Sequence, residues 1–85
     1  MFYIYVLKSD ASNRIYIGST ANINTRVMQH NQGKTPSTKP YKPWRLIYSE
    51  SFQTKRESLI RERQMKKSGV IRNALREEKY NGLIV

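Results

Sequence analysis

The sequence predicts an α+β fold: a small three-stranded antiparallel sheet flanked by helices as an α/β sandwich, in the order ββαβαα. Three observations carry this. Two β-rich runs, Phe2–Leu7 and Ile15–Gly18, flank a short polar segment, as the arms of a hairpin do. An amphipathic stretch with helix-capping residues follows from Asn22 to Gly33. A second helix opens at the capping box Thr54-Lys55-Arg56-Glu57, after a third β-rich run. At 85 residues there is room for one small domain, 1–85, with no internal repeat or linker.

In the first strand, alternation puts Phe2, Ile4 and Val6 on one face and Tyr3, Tyr5 and Leu7 on the other. Lys8–Arg14 contains the turn formers Asp10, Ser12 and Asn13. The return arm places Ile15 and Ile17 together and Tyr16 opposite, so Tyr5 and Tyr16 share a face if the register allows it. Asn22 is an expected N-cap, Ile23 and Val27 an i, i+4 buried pair, and Gly33 a C′ residue. Arg26 and His30 fall one turn apart beside that stripe. Lys34–Pro43, with three prolines and three lysines, reads as a loop open to substrate, and Trp44–Glu50 as the third strand. The helix from Thr54 to about Lys67 has Leu59, Ile60 and Met65 as its apolar contacts, and Glu62 lies along that stripe. Beyond Ser68-Gly69, Val70, Ile71, Ala74 and Leu75 form a short amphipathic helix with Arg72, Arg76 and Lys79 outside; Tyr80–Val85 is ambiguous.

Composition limits the function. There are no cysteines and one histidine, which excludes disulfides and finger- or ribbon-type zinc sites. No apolar run long enough to span a bilayer and no signal peptide is read, so a cytoplasmic protein with no membrane partner is expected. Sixteen Lys+Arg against six Asp+Glu give a net charge of +10, spread along the chain, which points to nucleic acid as partner. A strand tyrosine, a glycine that admits close approach, and a cation with an imidazole beyond it (Tyr16, Gly18, Arg26, His30) describe an anion-handling site. Lys39, Lys42, Arg72 and Arg76 are candidate backbone-phosphate contacts. An acidic side chain on an apolar stripe, as at Glu62, is rare unless paired or metal-bound; an i, i+4 pair with Lys66 is the plain alternative, contributing about 0.3–0.5 kcal/mol.

From Phe2 to Lys67 the chain resembles the GIY-YIG nuclease domain, in the small stand-alone form related to the incision subunit of nucleotide excision repair. The first motif stands as Tyr3-Ile4-Tyr5 and the second as Tyr16-Ile17-Gly18. Thr20, Asn22, Arg26, His30, Asn31 and Gly33 follow on the next helix. Ser37-Thr38-Lys39 and Pro43–Tyr48 look like a further block, and Arg61–Lys66 like the helix with the family's glutamate. Two departures are visible: Tyr3 replaces the first motif's glycine, and only Asn81 could stand for a later polar residue. The resemblance implies an endonuclease that hydrolyses phosphodiester bonds, DNA most of all, including branched or damaged forms met in DNA repair. It implies Glu62 as ligand of one Mg²⁺ or Mn²⁺, Arg26 as phosphate clamp, and Tyr5 and Tyr16 as positioners of the attacking water, with Tyr5 the favoured base. His30 would contact phosphate or relay a proton, and Gly18 would admit close packing at the nucleic-acid site. Tyr3, Tyr41, Tyr48 and Tyr80 read as ordinary structural aromatics. The small size suggests a protein partner for targeting. The alternative is a catalytically silent domain that binds DNA or RNA, with a ribosome-associated RNA-binding role as a third reading.

Overall fold

The computed structural model describes residues 1–79; Tyr80 and Asn81 lie outside them. The hairpin forms as β1 (Phe2–Ser9) and β2 (Ile15–Thr20), and β3 (Trp44–Phe52) pairs antiparallel with the other side of β1. The sheet order is therefore β2-β1-β3, with β1 central. β3 runs two residues past the expected Glu50, because Ser51 and Phe52 still pair with Tyr3 and Phe2.

Three helices flank the sheet: α1 (Ile23–Asn31), α2 (Lys55–Lys67) and α3 (Gly69–Arg76). Each begins at a side-chain cap. Asn22 Oδ1 accepts from the Thr25 N–H at 3.1 Å, Thr54 Oγ1 from Glu57 at 3.2 Å and Ser68 Oγ from Ile71 at 3.1 Å. Helix α1 ends in a Schellman motif around Gly33 (φ +76), with Lys34 N–H donating to the Gln29 carbonyl and Gly33 N–H to that of His30. The intervening loop holds a 3₁₀ turn at Lys39–Tyr41.

Pairing Tyr5 with Gly18 and Leu7 with Tyr16 gives the sheet two dissimilar faces. On one, Ile4, Val6, Ile17 and Tyr48 pack with Met65 of α2 and Leu75 of α3. On the other, Tyr5, Leu7 and Trp44 pack with Tyr16 and with Ile23 and Val27 of α1. A bulge opposite Val6/Leu7 returns β3 to register and leaves Ile47 packed against the first core.

Helix α2 departs from the expected contacts in one respect. Met65 is fully buried, but Leu59 and Ile60 are exposed, and the buried stripe runs through Ser58 and Met65 instead. Helical spacing explains this: Leu59 and Ile60 lie about 120° and 140° around the axis from Met65, so burying Met65 turns both outward. Arg61 grips the Glu50 carboxylate of β3 at 3.0 and 3.1 Å. Val70 is likewise exposed at the start of α3, where Ile71 and Leu75 make the inward contacts. Among the described residues no helix is long and apolar enough to cross a membrane.

Candidate active site

The second sheet face gathers four of the expected residues. Tyr5 and Tyr16 are diagonal neighbours on adjacent strands, ring centroids 6.1 Å apart, and His30 of α1 stands 6.0 Å from Tyr5 and 4.6 Å from Tyr16. Gly18, opposite Tyr5, makes this possible. A Cβ there would sit 2.8 Å from Tyr5 Oη and 2.9 Å from the Tyr16 ring. Gly18 is itself buried, so its backbone is covered by the two tyrosines.

His30 is fully buried and both ring nitrogens are engaged. Thr38 Oγ1 donates to the Thr35 carbonyl at 3.3 Å, so it accepts from Nδ1–H of His30 at 2.8 Å. That leaves Nε2 with a lone pair, which accepts the Tyr5 phenol proton at 3.0 Å. Burial, and then the nearby Arg26 charge, push the imidazole below its ordinary value and keep it neutral. Full burial keeps His30 from direct contact with a phosphate. Burial also raises the Tyr5 phenol, although Arg26 opposes it. Arg26, one turn before His30, rests against the Tyr5 phenol, which raises the guanidinium further, and Gln29 Oε1 fixes its Nη1 at 2.8 Å.

Glu62 approaches from α2. With about 3.6 residues per turn, Arg61 and Glu62 fall on opposite flanks of the Ser58–Met65 stripe. Arg61 holds the β3 flank, so Glu62 takes the flank toward β2. Its side chain is 19% exposed, and Lys66 Nζ bonds Oε2 at 2.8 Å. Lys66 in turn lines a cleft of about 350 Å³ with Tyr16, Arg72 and Arg76. Lys66, the partner of Glu62, lines that cleft, whereas Glu62 itself does not, and α2 packs on the sheet face opposite the Tyr5–Tyr16–His30 cluster. Among the described residues no group of three or more His, Cys, Asp or Glu side chains could cage a metal ion. One hard oxygen donor suits a largely hydrated Mg²⁺ or Mn²⁺ that shares substrate oxygens.

Arg72 and Arg76 therefore stand where a phosphate could meet them. Lys39 and Lys42 are exposed in the loop, the Lys39 stem lying over Gly33, and neither lines that cleft. Gln29, which holds Arg26, carries no pattern that sequence reasoning could single out, and Thr38, although inside the Ser37-Thr38-Lys39 block, gives no sign in sequence that it holds His30.

The family model of the GIY-YIG catalytic domain matches residues 1–81. The chain belongs to the GIY-YIG family. A UPF0213 protein of Staphylococcus haemolyticus is 38% identical over 65 residues, 75% of this chain and 78% of its own. One from Pediococcus pentosaceus is 42% identical over 66 residues, covering 76% and 68%. One from Staphylococcus aureus is 39% identical over 66 residues, covering 75% and 78%. These relatives are small stand-alone GIY-YIG proteins. GIY-YIG domains form a nuclease family, act on nucleic acid and typically use divalent metals.

Proposed function

We propose that this GIY-YIG domain is a metal-dependent endonuclease that hydrolyses phosphodiester bonds in DNA. The observation that carries the reading is the convergence of Tyr5, Tyr16, Arg26 and His30 over Gly18, beside a cationic cleft lined by Lys66, the ion-pair partner of Glu62. Arg26 has the charge and the fixed geometry to hold a phosphate oxygen and to meet the charge that grows there in the transition state. Tyr16, half-buried and lining the cleft, is the phenol within reach of an incoming water. Tyr5 has no exposed surface, which favours Tyr16 for that contact where sequence alone leans towards Tyr5. Tyr5 and His30 form the layer beneath, with the lone pair of His30 Nε2 able to take a proton passed through the Tyr5 hydroxyl. Glu62 would hold the Mg²⁺ or Mn²⁺, which when bound neutralises phosphate charge.

The Lys66–Glu62 ion pair is the feature that favours the second reading, a binding domain without catalysis, because the lysine already neutralises the carboxylate. Incubation of the purified chain with single-stranded, duplex and branched DNA and with RNA, plus Mg²⁺ or Mn²⁺, separates the two. The nuclease reading expects DNA cleavage that falls about 10²–10³-fold in Arg26→Ala and is lost in Glu62→Gln. Tight binding with no product under either metal would overturn it, and cleavage of RNA alone would overturn the DNA assignment.

A further inference from the structure

The space beside Tyr16 is divided into two clefts of different chemistry. The larger is rimmed by Lys66, Arg72 and Arg76. The smaller, about 190 Å³, is walled by Tyr16, Tyr41 and Trp44, with the Arg14 guanidinium 4.2 Å over the Tyr41 ring. Ile15, Tyr16 and Arg76 line both, so a basic groove runs past Tyr16 into an aromatic pocket. We propose that this pocket receives one unpaired nucleobase of a strand whose phosphates lie along the basic cleft, with Arg14 and Tyr41 as its stacking platform.

The pocket is smaller than the ~300–1,000 Å³ typical of sites for larger organic ligands, and its walls are flat. Trp44 is held rigid, its indole N–H donating to the Thr38 carbonyl at 2.8 Å. Arg14 is exposed and lines the pocket, offering a guanidinium plane, a surface on which bases stack. Ser37, at the same wall, supplies a hydroxyl for a base edge. Phosphate contacts along the rim carry no information about pairing, whereas a stacking pocket does. A base inside a duplex must leave its stack to enter. The site therefore selects unpaired strands, flaps and frayed ends over continuous duplex.

This inference rests on the nuclease reading, and its test is run where cleavage plays no part. Fluorescence anisotropy of the full chain in EDTA would compare a short oligothymidylate with a fully abasic strand of equal length and charge, and with a duplex. The wild type is expected to bind the oligothymidylate about tenfold more tightly than the abasic strand, and to prefer it to duplex. Arg14→Lys keeps the charge, removes the plane and should erase that preference; Tyr41→Leu should do the same. Arg14 is exposed, so its variant keeps the fold if Tyr41→Leu does not. Arg72→Ala should weaken both single strands alike. Equal wild-type affinity for the two strands, or a preference that survives Arg14→Lys, overturns the pocket. Failure of the nuclease reading looks different: no cleavage with metal, and a base preference intact in EDTA.

Discussion

At Gly18 the absence of one methyl group decides where two tyrosines lie. Alanine would bring Cβ within 2.9 Å of both rings, and the Tyr5 ring cannot swing freely, since it is fully buried and bonded to His30. Gly18→Ala is therefore expected to cost about 1–3 kcal/mol. It should lower Tm by about 5–20 °C in thermal denaturation and reduce cleavage more than the residual folded fraction accounts for. His30 sets a pH dependence of the same sign as that of a paired carboxylate, but in the range where histidine titrates. The buried imidazole resists protonation, so below about pH 6.5 the unfolded chain takes up a proton that the folded chain refuses, and stability falls as pH falls. Denaturant midpoints measured between pH 7.5 and 5 should drop in the wild type and stay nearly level in His30→Gln. The tyrosine and arginine positions were legible because β alternation and helical spacing place them directly. His30 was legible only as bordering a buried stripe. Its tautomer depends on Thr38 and Thr35, which reach it through a loop with no periodicity to read.

Among the elements, the junction of α1 with β3 fixes the α1 side of the site. The Asn31 side chain accepts from the Trp44 N–H at 2.6 Å and donates to the Trp44 carbonyl at 2.9 Å, tying the end of the helix to the start of the strand. Asn31→Ala strands both backbone groups beside a buried tryptophan, at a cost of about 2 kcal/mol. Circular dichroism melting should record a Tm about 10 °C lower. The caps at Asn22, Gly33 and Thr54 could be read directly from sequence, because capping is local chemistry. The rotation of α2 could not. Leu59 and Ile60 are apolar but lie about 120° and 140° around the helix from Met65. Which of the two faces is buried depends on contacts distant in sequence, among them Arg61 with Glu50. Glu62 lies on the flank of the buried stripe opposite Arg61, and its partner Lys66 reaches the cleft. Helix α3 is anchored in a comparable way. Glu78 adopts a left-handed backbone (φ 57) just past its end, and its carboxylate meets Arg45 at 2.7 and 3.0 Å and Lys8 at 3.8 Å.

Over the whole molecule, one strand belongs to everything. β1 supplies Ile4 and Val6 to the core beneath α2 and α3, and Tyr5 and Leu7 to the face beneath α1. Among the described residues it is also the only strand hydrogen-bonded on both sides. The two halves of the interior consequently share a single spine, and neither can melt while the other persists. Cleavage and far-ultraviolet ellipticity should vanish at the same temperature, and amide exchange should be slowest along Ile4–Leu7. A thermal window in which ellipticity survives without cleavage would contradict this. Evolution of such a chain has little freedom to trade rigidity in one place for mobility in the other. A substitution that loosens the packing under α2 weakens the tyrosine layer as well, so heat-tolerant variants selected for folding alone should keep the arrangement of Tyr5, Tyr16 and His30.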